Sequence, residues 1–480
     1  MIGRLPLCLL ISCGLDEGTS QGTPGKTPTD SPPTEPTVPP AAEGCAVSLD
    51  TEPFGPQLGA LQPLDVDDVD VFELRGDVQY GRLGHAILVP GDVDADGFDD
   101  LVVGSAFLNE VYVVYGNQIS SGEIGDLSGT VLTGAPGQFG YALASAGDAN
   151  GDGSADFWVG AVDSTGLGSA SLISGGPPAG AGSVADHVIA TIRDDAVGGG
   201  GGRVSEVGDM TGDGILDIAL GSDYYADGAG AVRVFAGPFA GELTTADAHV
   251  EMVGVQPMDA LWHAEAAGDL DGDGADDLLV VAAGAGNGNG AIYVLLGPLT
   301  AGEDVLSTAH ARIEGADGEL LGHGITSLGD IDGDGLDDFA IGAPYADQRA
   351  GRVYVFTHLP TGVVDVSTAD ILLRGESPSG RFGYTVACAG ILNIGAKFEF
   401  IDPGSRGGAV YTLSSLQERG DQQMLDGNWL RKFTAARAGD QLGRIGAAGN
   451  LLGDGSGELV MAASHARGDS GAVYVVAGTL

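Results

Sequence analysis

A nine-residue acidic block recurs along the chain with the side chains expected of a metal-binding loop. It occurs as DVDADGFDD from Asp92, DANGDGSAD from Asp148, DMTGDGILD from Asp209, DLDGDGADD from Asp269 and DIDGDGLDD from Asp330. Positions 1, 3, 5 and 9 of each block carry oxygen atoms, and position 6 is glycine. A loop that bends sharply at glycine can point alternate side chains inward, and six to eight such oxygens suit calcium.

We therefore predict about five calcium sites, one in each block. In the first loop, the backbone carbonyl of Phe98 and water would complete the coordination shell. The predicted side-chain ligands are Asp92, Asp94, Asp96 and Asp100; Asp148, Asn150, Asp152 and Asp156; Asp209, Thr211, Asp213 and Asp217; Asp269, Asp271, Asp273 and Asp277; and Asp330, Asp332, Asp334 and Asp338.

The residues after each block exclude an EF-hand. That motif needs a bidentate Glu at position 12 of its loop, whereas all five blocks have an apolar residue there: Val103, Val159, Leu220, Val280 and Ile341. The remaining alternative to a metal site is an acidic turn without a metal. Two degenerate copies, ILNIGAKFE from Ile391 and NLLGDGSGE from Asn450, keep few oxygen side chains. We expect no ion at the sixth copy and leave the seventh open.

The blocks mark seven repeats, because successive copies begin 56, 61, 60, 61, 61 and 59 residues apart. Five copies follow an apolar residue with glycine: Leu83-Gly84, Phe139-Gly140, Leu321-Gly322, Phe382-Gly383 and Leu442-Gly443. The copies are followed by a short apolar run and then by a segment of alternating β-branched and aromatic residues. This pattern predicts an all-β fold, a seven-bladed β-propeller of four-stranded blades spanning residues 69–480. The segment VFELRG at 71–76 matches the fourth-strand segment ILLRG at 371–375. We therefore expect this N-terminal strand to complete the last blade.

The combination of Phe-Gly pairs, acidic loops and Gly342-Ala343-Pro344 resembles the FG-GAP repeats of the integrin α-subunit propeller. Similar repeats occur in exported bacterial proteins. The resemblance implies a seven-bladed propeller with calcium on hairpins at one face and ligands engaged by loops at the opposite face.

The N-terminal residues predict export. Residues 1–13 resemble a signal segment, and Leu10-Ile11-Ser12-Cys13 resembles a bacterial lipobox that would make Cys13 the lipidated residue. A plain signal peptide and a mis-assigned start remain alternatives. Residues 14–45 are rich in Pro, Thr and Gly and predict a disordered tether, with 46–68 as a lead-in. Cys45 and Cys388 could form a disulfide, or could be two unrelated small apolar residues.

Composition limits the partners. The chain has 67 Asp and Glu but only 20 Lys and Arg, which gives a formal net charge of -47. This charge excludes nucleic acid and anionic membrane surfaces, because binding either requires clustered basic residues. We expect a monomer. It would lie in the cell envelope or at the cell surface, lipid-anchored in a bacterial outer membrane, or would be secreted. The lipid anchor would be its only contact with a membrane.

The functional hypothesis is a non-catalytic module that binds a protein or glycan, for example in adhesion, because no catalytic residues were identified. His85, His263 and His323 occupy repeat positions equivalent to Tyr141 and Tyr384, so we interpret them as repeat residues. Two alternatives are a propeller-based hydrolase or lyase, which a polar constellation in the central channel would favour, and a purely structural envelope component. The candidates for a ligand face are Phe107, Tyr224 and Arg349.

Overall fold

The computed structural model describes residues 48–50 and 71–477, apart from 135–136, 164–165, 177–179, 195–201, 303–304, 317, 390, 414, 418–419, 424–430 and 454–456. The predicted signal segment, tether, Cys13 and Cys45 lie outside these residues. The described residues form one compact unit. Among the described residues, no helix has the length and apolar character to span a membrane.

Seven small sheets form a ring, which confirms the predicted seven-bladed propeller. Each innermost strand contacts the innermost strand of the next blade, and the seventh contacts the first. These strands line the central channel. In blade order they are Ala86–Gly91, Ala142–Gly147, Arg203–Gly208, Leu261–Gly268, Ile325–Gly329, Phe382–Ala389 and Arg444–Gly449.

The second strands are the apolar runs that follow the acidic blocks. They pair antiparallel with the innermost strands, and most of their residues are buried because both faces pack against neighbouring blades. They span Asp100–Ser105, Asp156–Val162, Asp217–Ser222, Asp277–Ala282, Asp338–Ala343, Ile391–Ala396 and Glu458–Ala463.

The third strands coincide with the alternating β-branched and aromatic segments. Each pairs antiparallel with the second strand of its blade. Their bounds are Glu110–Val114, Gly168–Ile173, Ala231–Phe235, Ala291–Leu295, Arg352–Phe356, Ala409–Leu413 and Ala472–Val476.

The fourth strand of the last blade comes from the N-terminal end of the ring. Val71–Arg75 pairs antiparallel with Ala472–Val476, which confirms the predicted closure. Leu74 is fully buried in a core shared by blades 7 and 1. The other fourth strands are Thr130–Thr133, Val188–Arg193, Val250–Val253, Ala311–Glu314, Ile371–Arg374 and Arg431–Thr434.

Within the described residues, five blades have a fifth strand that was not predicted. It comes from the segment joining the third and fourth strands of the next blade and pairs parallel with the fourth strand. Backbone pairing therefore links consecutive blades at their outer edges. On blades 1, 2, 4, 5 and 7 these strands are Gly180–Ser183, Gly241–Thr244, Gly362–Asp365, Gly420–Gln423 and Gly122–Glu123.

The remaining elements are short. Ser48–Asp50 pairs parallel with Ser415–Gln417, and Phe400–Asp402 forms a hairpin with Ser405–Arg406. Ile124–Leu127 is a single helical turn. Four further four-residue turns contain residues with positive φ: Tyr225–Gly228, Ala285–Gly288, Ala346–Arg349 and Ala466–Asp469. Short 3-10 turns span Gly116–Gln118, Val184–Asp186, Thr245–Asp247 and Val366–Thr368.

Candidate functional site

The acidic blocks form the loops between the first and second strands of blades 1 to 5, at what we call the loop face. In the blade 4 loop, Asp269 accepts hydrogen bonds from the backbone N–H groups of Asp273 (3.1 Å) and Gly274 (2.9 Å). Gly274 has φ +89°, a conformation that favours glycine, as the sequence predicted for position 6. The same two bonds recur in the other four loops.

The carboxylates converge in three of the five loops. One oxygen from each of three side chains lies within 4.8 Å of the others in blades 1, 4 and 5. The loops of blades 2 and 3 have Asn150 and Thr211 at position 3, so fewer carboxylates meet there. The converging sets are Asp92, Asp94 and Asp96; Asp269, Asp271 and Asp273; and Asp330, Asp332 and Asp338.

The position 9 carboxylate is the most buried member of each loop. Asp100 is fully buried and accepts backbone hydrogen bonds from Val93 (2.7 Å) and Gly116 (2.8 Å). Burial raises its pKa to about 7 and outweighs these hydrogen bonds, which lower it. Burial likewise raises the pKa of Asp338 to about 7 and the pKa values of Asp156, Asp217 and Asp277 to about 6.

These loops fit a divalent cation because their negative charge has no side-chain counter-charge. Among the described residues, no Lys or Arg pairs with a carboxylate of the five loops. The carboxylates accept hydrogen bonds almost entirely from neutral backbone N–H groups. Clustered, partly buried carboxylates of this kind are stable when a metal supplies the positive charge.

Position 8 has a structural role that the sequence interpretation missed. Asp276 Oδ2 accepts a hydrogen bond from the backbone N–H of Asp209 in the preceding loop (3.0 Å), and Asp337 does the same for Asp269 (2.8 Å). Asp99 bonds the N–H of Asn450 (2.8 Å), which extends the link across the ring closure. These three hydrogen bonds therefore tie neighbouring loops to one another.

The prediction that the sixth acidic block begins at Ile391 is wrong. Ile391–Ala396 is the buried second strand of blade 6 and follows the first strand almost directly. The apolar ILNIG segment forms a strand because its side chains fill the blade interface. Asn393 is buried in this strand, and Glu399 lies beyond it, bonded to Ser377. In the seventh copy, Glu458 Oε2 accepts the N–H of Leu451 (2.7 Å) as the position 9 Asp does elsewhere, while Asp454 lies outside the described residues.

The opposite face surrounds the mouth of the central channel. Here the second strand of each blade turns into the third, and several of these turns pair with the start of the next blade's innermost strand. We call this the channel-mouth face. Each innermost strand has a polar residue at an equivalent place, near its first residue. These seven residues are His85, Tyr141, Arg203, His263, His323, Tyr384 and Arg444.

All seven residues line one cavity of about 490 Å³, which we call the channel pocket. Arg82, Lys397 and His465 contribute further basic groups, and Trp262 and Ser464 complete much of the wall. Arg203 Nη2 donates to the hydroxyl of Tyr141 at 2.7 Å, and its guanidinium lies 4.1 Å from the Trp262 ring centroid. Lys397 Nζ donates to the hydroxyl of Tyr384 at 3.2 Å.

Positive charge dominates the electrostatics of the channel pocket. Burial, reinforced by Arg444, Arg203, Lys397 and Arg82, holds the pKa of His85 well below its usual value. Burial, with Arg203, Lys397 and Arg444, lowers the pKa of His323 to about 4 and outweighs a hydrogen bond with the backbone of Tyr384, which raises it. For Tyr384, burial acts to raise the pKa, but Lys397 and Arg444 outweigh it and the pKa is lowered.

Comparison with known proteins agrees with this architecture. The FG-GAP repeat family model matches residues 261–295 and 324–356, in blades 4 and 5. The chain is a β-propeller with FG-GAP repeats in blades 4 and 5. It is 29% identical to integrin alpha-PS2 of Drosophila melanogaster over 193 residues, 38% of this chain and 13% of that protein. It is 36% identical to integrin alpha-5 of Xenopus laevis over 120 residues, 23% of this chain and 11% of that protein.

The FG-GAP propeller therefore spans only about an eighth of the length of these relatives. A solved structure titled "Structure of Dos1 propeller" aligns with a TM-score of 0.41 and 11% identity, covering 82% of this chain and 77% of that one.

The three candidates for a ligand face lie on the channel-mouth face of the FG-GAP propeller. Phe107 is 43% exposed and lies 4.5 Å from the Arg82 guanidinium, and Tyr224 is 58% exposed. Arg349 lines a separate cavity of about 250 Å³ together with Arg381 and Arg406. Basic groups thus cluster at more than one point of this face.

The channel pocket itself was missed. His85, His263 and His323 are repeat residues, as interpreted, but closure of the ring brings them together with two Arg and two Tyr from other blades. The sequence did contain a pattern that indicates this pocket. The residue directly after the glycine of each Phe-Gly-like pair is His, Tyr or Arg.

Proposed function

We propose that this FG-GAP propeller is a calcium-stabilised, non-catalytic binding module that recognises a protein or glycan outside the cytoplasm. The observation that carries the proposal is the separation of charge between the two faces. The loop face holds clustered carboxylates without basic partners, and the channel-mouth face holds a basic, aromatic pocket. The loop face suits structural metal ions, which leaves the channel-mouth face for a ligand.

Calcium in this proposal is held by the position 1, 3, 5 and 9 side chains of the five loops. A calcium ion bound there would neutralise the carboxylates of the loop. Since it binds the folded loops better than the unfolded chain, it stabilises the propeller by mass action. About five ions are proposed per chain, one for each complete loop.

The proposal places the protein in the cell envelope, at the cell surface or in the medium. Cys13 is the proposed lipid anchor of a bacterial outer-membrane protein, and the chain is proposed to act as a monomer. Nucleic acid is not a proposed partner, because the net charge of -47 repels it.

A propeller-based lyase or hydrolase is the second candidate, and the channel pocket is the observation in its favour. It combines histidines, basic side chains and a Tyr384 hydroxyl whose pKa is lowered, which are groups able to neutralise an acid and move a proton. Incubation with acidic and neutral polysaccharides, followed by assays for unsaturated products and new reducing ends, tests it. Product formation that is lost in Tyr384→Phe would favour the enzyme.

The third alternative, a purely structural envelope component, predicts no ligand-sized cavity. A pocket of about 490 Å³ lies within the range of small-molecule sites, and this favours a binding role.

A direct binding experiment tests the proposed function. Purified protein is immobilised, and panels of purified glycans and extracellular proteins are passed over it in calcium and in excess EGTA. We expect at least one ligand to bind in calcium, with weaker binding in Phe107→Ala on the channel-mouth face. Val363→Ala is the matched control, because Val363 is 68% exposed on an outer strand. No binding together with an unchanged melting temperature in EGTA would contradict the proposal.

A further inference from the structure

The channel pocket reverses the charge of the rest of the molecule. The chain has 20 Lys and Arg and 8 His at a net charge of -47, yet four of those Lys and Arg and four of those His line this single cavity. No Asp or Glu belongs to its wall among the described residues. In so acidic a chain, this concentration of basic side chains opposes the overall composition.

The cations of the channel pocket are held by neutral groups. Arg444 forms no ion pair among the described residues, and its Nε is buried without a hydrogen-bond partner. The pKa of Arg444 is lowered by burial, despite Tyr384 and Tyr141, which act to raise it. Arg203 and Lys397 are positioned by the hydroxyls of Tyr141 and Tyr384. Since an enclosed cation without a counter-charge is unfavourable, these side chains reduce stability in the free protein.

The nearest carboxylates do not neutralise the pocket. Glu265 lies 3.1 Å from His263 Nε2, and among the described residues it forms no ion pair with an Arg or Lys of the pocket. Glu206 lies farther along an innermost strand, and burial, with Glu265 and Asp276 nearby, raises its pKa to about 7. Burial raises the pKa of Asp223 although the charge of Arg203 acts to lower it, and Asp223 lies outside the pocket wall. Arg444, Lys397 and Arg82 therefore keep positive charge facing the cavity.

We propose that the channel pocket binds the acidic disaccharide end of a glycan, with its carboxylate or sulfate groups placed among Arg203, Arg444 and Lys397. The proposal rests on the proposed function, in which the channel-mouth face is the ligand face, and it names the ligand class. Guanidinium and ammonium groups form short, charge-assisted hydrogen bonds to such oxyanions.

Size and shape favour a glycan end over a peptide. A single Asp or Glu side chain would fill only a small part of about 490 Å³ and would meet one of several cations. Two linked sugar rings with two acidic groups would fill more of the cavity and satisfy more of the charge. Trp262, Tyr141 and His263 add rings and polar atoms around the wall, and the Nε1 of Trp262 is buried without a hydrogen-bond partner.

The test measures binding and stability together in calcium-loaded, full-length protein. The probes are digalacturonate, a sulfated uronate disaccharide, neutral cellobiose, an Asp-Glu dipeptide and inorganic phosphate, each titrated by calorimetry at low and high salt. We expect at least one acidic disaccharide to bind, more weakly at high salt. Comparing digalacturonate with the sulfated disaccharide identifies carboxylate or sulfate as the anchoring group. Turnover of the bound disaccharide would support the site but would favour the propeller-based enzyme over the non-catalytic module.

Arg444→Met separates a ligand-binding role from a structural one. We expect it to bind the disaccharide about 10- to 100-fold more weakly while its melting temperature stays equal to or above that of the wild type. Lys397→Met, for which we expect the same pair of effects, provides a second variant if Arg444→Met fails to fold. Arg193→Met is the matched control, because Arg193 forms an exposed ion pair with Glu242, and it should leave affinity unchanged.

Several outcomes would overturn the proposal. These are equal binding of cellobiose, tighter binding of the Asp-Glu dipeptide or of phosphate than of either acidic disaccharide, or a lowered melting temperature in both variants with unchanged affinity. Absence of binding by every acidic probe would overturn it too. If calcium still stabilised the protein and another ligand bound the channel-mouth face, the proposed function would stand while this inference failed. An unchanged melting temperature in EGTA would instead contradict the calcium component alone.

Discussion

Replacing Asp273 by Asn should change stability in opposite directions with and without calcium. Asp273 occupies position 5 of the blade 4 loop, where one of its oxygens lies within 4.8 Å of oxygens of Asp269 and Asp271. Two unit charges at that separation repel by about 1 kcal/mol in water. Asn keeps an oxygen for the N–H of Ala275, which Asp273 now accepts at 2.8 Å. Without metal, the variant should therefore be more stable by up to about 1–2 kcal/mol, and less so at high salt.

In calcium the same change removes one of four carboxylate ligands. Calcium affinity in oxygen sites depends strongly on the number of charged ligands, and a 10- to 100-fold weaker site corresponds to about 1.4–2.7 kcal/mol of lost stabilisation while calcium is in excess. For a propeller of this size, 1 kcal/mol shifts the melting temperature by about 1 °C. The net change in calcium is this loss minus the gain of the metal-free protein. The expected shifts are thus a fall of up to about 3 °C in calcium and a rise of up to about 1–2 °C in EGTA.

The assay is chemical and thermal unfolding of both proteins in millimolar calcium and in excess EGTA. Asp276→Ala, three residues further on, is the matched control, because Asp276 bonds the N–H of Asp209 and is not a proposed ligand. It should lose about 1–3 kcal/mol in both conditions. If Asp273→Asn instead lost the same stability in both conditions, the loop carboxylates would be hydrogen-bonding turn residues and not metal ligands.

The remaining predictions concern the ring and the channel. Leu74→Ala should cost about 2–5 kcal/mol, since Leu74 is fully buried where the N-terminal strand closes the ring; a cost below 1 kcal/mol in urea unfolding would contradict that role. Gly322→Ala should destabilise strongly, because Gly322 has φ +89° and an added Cβ would lie 2.6 Å from Ile292; a melting temperature equal to the wild type would refute this. The folded pKa of His323 is about 4, below an unfolded value of about 6.5. The contribution of His323 to the free energy of unfolding is therefore complete above the unfolded pKa and is lost as the pH falls towards 4. His323→Gln should therefore reduce acid destabilisation by about 1–3 kcal/mol between those values, and an unchanged stability–pH curve would contradict it.

Strands and ring closure were predictable because they depend on local patterns that repeat. Alternating β-branched residues in segments such as 353–356 are typical of strands, and the match between 71–76 and 371–375 predicted which strand completes blade 7. The fifth strands were not predicted. Segments such as Gly241–Thr244 and Gly362–Asp365 are only four residues long and largely exposed. They form strands because the fourth strand of the preceding blade offers an open edge.

The sequence located the acidic loops but not everything that surrounds them. Glycine at position 6 and oxygen side chains at fixed positions have a local geometric cause. The misplaced sixth copy shows the limit, since equal spacing alone suggested a loop where Ile391–Ala396 is a strand. The role of Asp276 depends on the neighbouring blade, which no single repeat reveals.

The channel pocket depends on the whole ring. Each repeat contributes one polar residue at the start of its innermost strand, and taken singly His323 or Tyr384 looks like an ordinary repeat position. Only after the seventh innermost strand contacts the first do these side chains meet around one cavity. Reading the equivalent positions as a set would have revealed His, Tyr and Arg without a single carboxylate.

The most direct test of calcium binding by the acidic loops is a count of the bound ions. Protein purified in calcium and then passed through metal-free buffer is analysed for elemental calcium against protein concentration. We expect about five calcium ions per chain, with about one fewer in Asp273→Asn. A chain that retains no calcium, and whose melting temperature is the same in calcium and in EGTA, would show that the acidic loops are solvated turns.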